Sequence, residues 1–420
     1  MFTVALYGVS CLPMITEPNL DSSLSEADRA AVASVDSRHI RDHLAQREQA
    51  ITERQEPIRR SGPSAIRLLV VPAAFSDRPL ARDVRKLEEI LANVAQYYLE
   101  VSSGNVAITW QITFPVALPQ TNAFYANGES GRGAIEPNAK TIARAALTAI
   151  ADEIGDFGPF DTDGDRRIDG FVVVHSGKPA ESYAAERSSL IWSHRGFGAE
   201  FRTSSGYLLD EFVTVSQESP LGVWCHELGH LLFNWPDISE GSNVDGTLIT
   251  HTWCLMSSGG WNGARAGLSV GASPAHPCAP LKIKQGWLSP DVIGRNGEWE
   301  IFSIEDVNKA FVVSSPSSSR SLVIENRERV RYDVALPGSG LIIWDTAQDD
   351  DLTTIKLVPA TGSFNAELRG TADDPFPGAK IVRAFERFGI GLTDIADASS
   401  LMHFKVAGLP TGRTRAVRHV

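Results

Sequence analysis

Between Ile66 and Phe75 the chain reads IRLLVVPAAF, an apolar run that suits a strand buried on both faces. Val84, Leu87, Leu91, Val94, Tyr98 and Val101 then recur at helical spacings of three and four, predicting a helix with one apolar stripe. NVAITWQITF alternates at period two and predicts a second strand. A further helix is expected from Asn138 to Glu153, followed by an acidic loop and the strand FVVVH ending at His175. Ser219 and Pro220 mark the next helix start, Ser as N-cap and Pro in the first turn. That helix runs through LGVWCHELGHLLF and must stop before Pro236, because the residue before a proline is pushed out of the helical region.

After about residue 297 the texture changes to short strand-like runs: EWEIF, KAFVV, SLVIEN, GLIIW, TIKLV and MHFKV, separated by turn clusters. This part is expected to be mostly β and sandwich-like. Residues 1–62 are rich in charge and poor in large apolar side chains, and Gly62-Pro63 closes them off. The expected organisation is an N-terminal arm or pro-segment (1–62), an α+β domain with a mixed sheet (63–296) and a β-rich C-terminal region (297–420).

With 43% hydrophobic and 21% charged positions over 420 residues, the chain has enough apolar content for sizeable cores. Lys and Arg number 39 against 51 Asp and Glu, a net charge of −12. Without a basic cluster, that balance argues against nucleic-acid and anionic-membrane partners. No stretch reaches the roughly 18 apolar residues of a spanning helix. The opening MFTVALYGVSCLPMIT lacks the basic start and clear cleavage site of a signal peptide. Four cysteines are too few for a disulfide scaffold, although an oxidising compartment would allow Cys225 and Cys254 to bridge.

His226-Glu227-Leu228-Gly229-His230 is an HExxH motif. On a helix, positions four apart lie on one face, so both imidazoles can reach one metal ion. Glu227 sits beside that ion, placed to take a proton from bound water, whose pKa zinc pulls towards about 7. The bland alternative is an exposed helix face carrying two chance histidines. Two histidines and a water leave one protein ligand to find. Asp237, after the helix, is the first candidate and Glu240 the reserve; a capping role in the Pro236 turn is the alternative for Asp237. Further on, HTWCLMSSGGWNG sets Met256 in a Ser/Gly-rich turn of the kind that floors metzincin zinc sites, where a lone Met would otherwise be core filler.

Asp161, Asp163, Asp165 and Asp169 alternate through DTDGDRRID and could converge on Ca²⁺, which takes about six to eight oxygen ligands. A solvated acidic turn before a strand is the plainer reading. His194 and His251 are weighed as cleft residues against ordinary structural histidines, and Trp192, Trp253 and Trp261 are read as packing residues.

Over most of residues 66–410 the chain resembles the M6 metallopeptidases, the immune inhibitor A family of secreted bacterial proteases. The similar strings, in order, are RLLVVPAAFSDRP, YYLEVSSGN, DTDGDRRIDGFVVVHSG, IWSHR, HELGH, WPD, LMSSGGW and PLKIKQGWLSP. LVIENRE, DVALPGSGLIIWD, DDPFPG and GIGLTDIADASSLMHFKV follow. The resemblance implies a zincin/metzincin-like catalytic domain and a secreted zinc endopeptidase acting on protein or peptide substrates. Carried over by position, His226, His230 and Asp237 are zinc ligands, Glu227 the general base and Met256 the Met-turn residue. Three departures stand out. Asp237 lies eleven residues after His226 where the family pattern has ten, Phe233 replaces the family's turn glycine, and Asp345 stands where His is expected. The altered spacing motivates a rival, a zinc-binding but weakly active or inactive relative serving as an extracellular binding protein. Intact Glu227 argues against it.

Overall fold

The computed structural model describes residues 64–81, 84–238, 251–348, 351–362 and 370–410. They fall into two compact units. The first runs to Leu99 and resumes at Gly104; the second takes Glu100–Ser103 and the residues from 251 onward. No helix of the described residues is long and apolar enough to cross a membrane.

In the first unit, β1 (Ser64–Ala74) leads through α1 (Val84–Val101) to β2 (Val106–Ile112) and the short β3 (Val116–Ala117). After α2 (Asn122–Ala126) and α3 (Ala139–Ile154), β4 (Phe171–His175) and β5 (His194–Gly196) enter the sheet. The two-stranded ribbon β6 (Phe201–Arg202) and β7 (Leu208–Leu209) precedes β8 (Phe212–Ser216) and α4 (Leu221–Phe233). The sheet order is β2-β1-β4-β8-β5, with β3 also on β1. All neighbours run parallel except β5, which pairs antiparallel with β8 and ends the sheet. It is therefore a mixed sheet, as expected.

Parallel strands need cover on both faces, and here both are buried. Leu69, Val71, Val173 and Phe212 join Ile142, Ala146, Leu147 and Ile150 of α3 in one apolar cluster. Helix α3 starts at a capping box, Asn138 Oδ1 accepting from the Lys140 N–H while Thr141 Oγ1 accepts from the Asn138 N–H. On the opposite face Pro72, Ala74 and Val174 share a cavity of about 340 Å³ with Leu87 of α1 and Trp224 of α4. The helix carrying HExxH thus lies on the face away from α3.

Helix boundaries follow the apolar pattern closely, but β5 and β8 were not foreseen. All five residues of FVTVS in β8 are buried, so no alternation marks them.

The second unit opens with turns and α5 (Ala279–Lys284) and continues as β strands. These are β9 (Asp291–Val292), β10 (Gly297–Phe302), β11 (Phe311–Ser314), β12 (Arg320–Arg327) and β13 (Gly340–Ala347). Then come β14 (Lys356–Val358), β15 (Phe385–Arg387), β16 (Ile390–Thr393) and β17 (Leu401–Ala407). One sheet is ordered β14-β13-β12-β11-β9 and the other β10-β17-β16-β15. Met402, Phe404 and Val406 alternate inward from β17 and meet Phe311, Ile324 and Ile343 of the facing sheet in one core.

Beside that core lies a fully buried ion cluster. The Arg327 guanidinium reaches Asp333 at 2.7 Å, Glu325 at 3.3 Å and Glu305 at 3.4 Å. Burial alone would raise the Asp333 pKa, but Arg327 outweighs it and holds the group at about 2. Removing the cation strands the Asp333 carboxylate in a low-dielectric interior, which costs far more than the intact cluster gains. Arg327→Met should therefore lower stability by about 3–5 kcal/mol in urea unfolding. A loss below about 1 kcal/mol would show that the cluster tolerates neutralisation.

Candidate metal centre

Helix α4 is buried from Gly222 to Phe233, so tertiary packing rather than amphipathicity holds it. Tyr98 of α1 donates its hydroxyl proton to the Cys225 carbonyl at 2.5 Å. The N-terminus differs from expectation. Pro220 occupies the cap position without a side-chain hydrogen bond. Ser219 Oγ instead accepts from the Ser216 N–H at 3.2 Å and meets Ser193 Oγ at 3.1 Å, tying the end of β8 to the segment before β5.

At its C-terminal end α4 runs through Phe233, the position of the family's turn glycine. The Phe233 ring packs on Tyr98 and Trp235, with centroids 5.3 and 5.0 Å away. The left-handed step falls one residue later, on Asn234 (φ 51°, ψ 33°). Asn tolerates that conformation better than most side chains, so the turn needs no glycine. The Asn234 N–H caps the Gly229 and His230 carbonyls. This accounts for the eleven-residue spacing: the helix extends one residue further before turning back to present Asp237.

Three ligand atoms converge there. His226 Nε2 lies 3.0 Å from His230 Nε2. Asp237 Oδ1 lies 3.0 Å from His226 Nε2 and 3.4 Å from His230 Nε2. Tetrahedral zinc, with bonds of about 2.0–2.1 Å, sets its ligand atoms about 3.3 Å apart, so the triangle fits such an ion. His230 Nδ1 stands 2.7 Å from the Trp235 carbonyl, which favours the tautomer with Nδ1 protonated and Nε2 presenting a lone pair. Burial lowers the His230 pKa to about 4 despite Asp237, keeping the imidazole neutral as metal binding requires. Burial works against ionised Asp237, but the two imidazoles overcome it and leave its pKa below the ordinary value. Glu240, the reserve ligand, lies outside the described residues.

Glu227 is buried on the same helix, and its Oε2 accepts the Arg195 backbone N–H at 2.9 Å. Arg195 lies on β5 opposite Val213, so its side chain points to the α4 face of the sheet. Its guanidinium meets Glu211 through Nε at 2.8 Å and through a second, short contact, and reaches Asn234 Oδ1 at 2.9 Å. Sequence reasoning singled out His194 in IWSHR and passed over Arg195. His194 is structural: Nδ1 stands 2.7 Å from the Trp192 carbonyl and the ring lies against Phe212. Only a charged residue between buried neighbours hinted at Arg195.

The acidic loop is drawn together in part. Carboxylate oxygens of Asp161, Asp163 and Asp169 lie within 4.8 Å of one another. Asp165, the fourth carboxylate of the expected site, lies outside that group. It accepts the Arg167 N–H at 2.7 Å and faces the Arg167 guanidinium, which draws it outward. Asp161 also accepts the N–H groups of Gly164, Asp165 and Arg166, so much of its capacity goes into shaping the loop.

Met256 belongs to the second unit and is buried in a tight turn whose Cys254 carbonyl accepts from Ser257 and Gly259. A Cβ on Gly259 would sit 2.3 Å from that carbonyl oxygen, so the turn demands glycine there. The bridge that an oxidising compartment would allow between Cys225 and Cys254 is not formed among the described residues. Cys225, Cys254 and Cys278 are buried free thiols, and Cys254 Sγ instead accepts the Cys278 N–H at 3.4 Å. Asp345, where the sequence resemblance led to an expected histidine, bridges Arg320 at 2.6 Å and Arg387 at 2.7 Å.

An HExxH helix against a mixed sheet, returning a carboxylate to its two histidines, has the layout of a metallopeptidase centre. Residues 75–288 match the immune inhibitor A peptidase M6 catalytic domain, and the chain belongs to that family. No curated protein matches it.

Two buried histidines, His175 and His194, are expected to make the first unit acid-sensitive. Burial lowers His175 to about 3 and His194 to about 4, and neither ring nitrogen of His175 meets a hydrogen-bond partner among the described residues. Unfolded histidine titrates near about 6.5, so the unfolded chain binds more protons below that pH. Stability present above pH ~6.5 should fall as pH drops towards 4, by up to about 1.4 kcal/mol per pH unit for each histidine. Urea midpoints between pH 7 and 4 should show a shallower decline for His175→Phe than for the natural protein; parallel declines would refute the assignment.

Proposed function

We propose that the chain is a zinc-dependent endopeptidase that cuts peptide bonds in protein substrates. The observation that carries this is the His226–His230–Asp237 triangle, beside Glu227, in a member of the M6 family. His226, His230 and Asp237 would hold the ion. Bound zinc supplies Lewis-acid polarisation of the scissile carbonyl and a lowered water pKa. Glu227 takes the proton from the attacking water and returns it to the leaving amine. The Arg195 N–H, hydrogen-bonded to Glu227 Oε2, orients that carboxylate. Burial keeps His230 neutral, and the Trp235 carbonyl fixes it with Nε2 forward.

Secretion belongs to this reading through the family resemblance, and residues 1–62 as an N-terminal arm or pro-segment through their charge-rich composition. An inert zinc-binding relative is less favoured, because Glu227 is retained and oriented.

Purified protein should carry close to one zinc per chain and cleave casein. Glu227→Ala should retain the metal and lose cleavage by at least about a hundredfold, the scale of general acid–base catalysis. Equal, negligible cleavage by both proteins with stoichiometric zinc would favour the inert reading.

Calcium at Asp161, Asp163 and Asp169 is a second part of the proposal, supported by their convergence. Added Ca²⁺ should raise the thermal midpoint of the natural protein and leave Asp163→Asn unmoved. No shift in either protein would reduce the loop to a hydrogen-bonded turn.

A further inference from the structure

The Asn234 turn replaces a glycine turn, and a left-handed asparagine is less favourable than a left-handed glycine. What secures it is a side chain from another element. Arg195 reaches across from β5 and meets Asn234 Oδ1 at 2.9 Å, while Glu211 neutralises the same guanidinium. Arg195 and Glu211 are only 2% and 6% exposed and Asn234 is half-buried, so the guanidinium end of the contact is held away from solvent. One residue beyond Asn234, the Trp235 carbonyl orients His230, and two further on Asp237 meets both histidines. The backbone N–H of the same Arg195 holds Glu227.

We propose that Arg195 is a positioning residue of the metal centre, which fixes the Asn234 turn through its side chain and the general base through its backbone. The inference rests on the zinc-endopeptidase reading and adds to it the group that compensates for the missing glycine. The guanidinium is suited to the task because its planar fork lets Nε and one terminal nitrogen face Glu211 while the other terminal nitrogen faces Asn234. A lysine carries the charge but not that geometry. Asn234 serves doubly, adopting the left-handed conformation and offering an acceptor to the fork.

The test is zinc affinity of the full chain, measured by competition with a chelating dye, together with the visible spectrum of the Co²⁺-loaded protein. Asn234→Gly keeps the turn accessible to the backbone but removes the acceptor. It should weaken zinc binding by about tenfold to a hundredfold, the usual cost of losing a group that orients a ligand, and alter the Co²⁺ bands. Asn234→Asp retains an acceptor for Arg195 and should recover most of the affinity. Arg195→Lys should lose affinity as Asn234→Gly does, and covers the case in which the glycine variant does not fold. Natural affinity and an unchanged spectrum in Asn234→Gly or Arg195→Lys overturn the proposal, as does an Asn234→Asp protein no better than the glycine variant. A natural protein that binds no zinc overturns the zinc reading itself and this inference with it.

Discussion

Two imidazole nitrogens and a carboxylate oxygen within 3.4 Å of one another, all buried, are the constraint on which the first unit depends. Such a group is costly to bury unless each member has a fixed partner. His230 has the Trp235 carbonyl behind it, and Asp237 has both histidines. Glu227 beside them has the Arg195 N–H. Each partner comes from a neighbouring element, so the centre requires β5, β8 and the turn after α4 in correct register. The mixed sheet provides that register. Antiparallel pairing sets Arg195 opposite Val213, with its side chain on the α4 face.

Much of this was legible in the sequence, for identifiable reasons. The HExxH spacing places two imidazoles on one helix face whatever the surroundings, and Pro236 limits the helix. Long elements with clear periodicity, such as α1, α3 and β17, follow their patterns closely. Short buried strands did not announce themselves, because β8 is apolar-facing throughout and β5 has three residues. The helix cap falls one residue later than expected, on Pro220, for a local reason: Ser219 spends its hydroxyl on Ser216 and Ser193 rather than on the helix. Arg195 escaped notice because its partners, Glu211 and Asn234, are distant in sequence and carry no spacing signal.

The departures from the family pattern acquire physical reasons. Phe233 is a packing anchor against Tyr98 and Trp235, which leaves the left-handed position to Asn234 and adds one residue before Asp237. Asp345 is the shared acceptor of two arginines, a role a neutral histidine could not fill. In the second unit the sandwich core and the Arg327 cluster use opposite strategies within one fold. Alternating apolar residues fill the space between the sheets, while one cation gathers the carboxylates of Glu305, Glu325 and Asp333. The buried thiols Cys254 and Cys278 sit in that same unit without a bridge.

The central claim is that His226, His230 and Asp237 hold a zinc ion with one position left for water. X-ray absorption at the zinc edge of the purified natural protein tests it most directly. The account predicts two imidazoles and a light oxygen shell at about 2.0–2.1 Å with no sulfur. A sulfur shell near about 2.3 Å, which would bring a cysteine into the first coordination sphere, would contradict it.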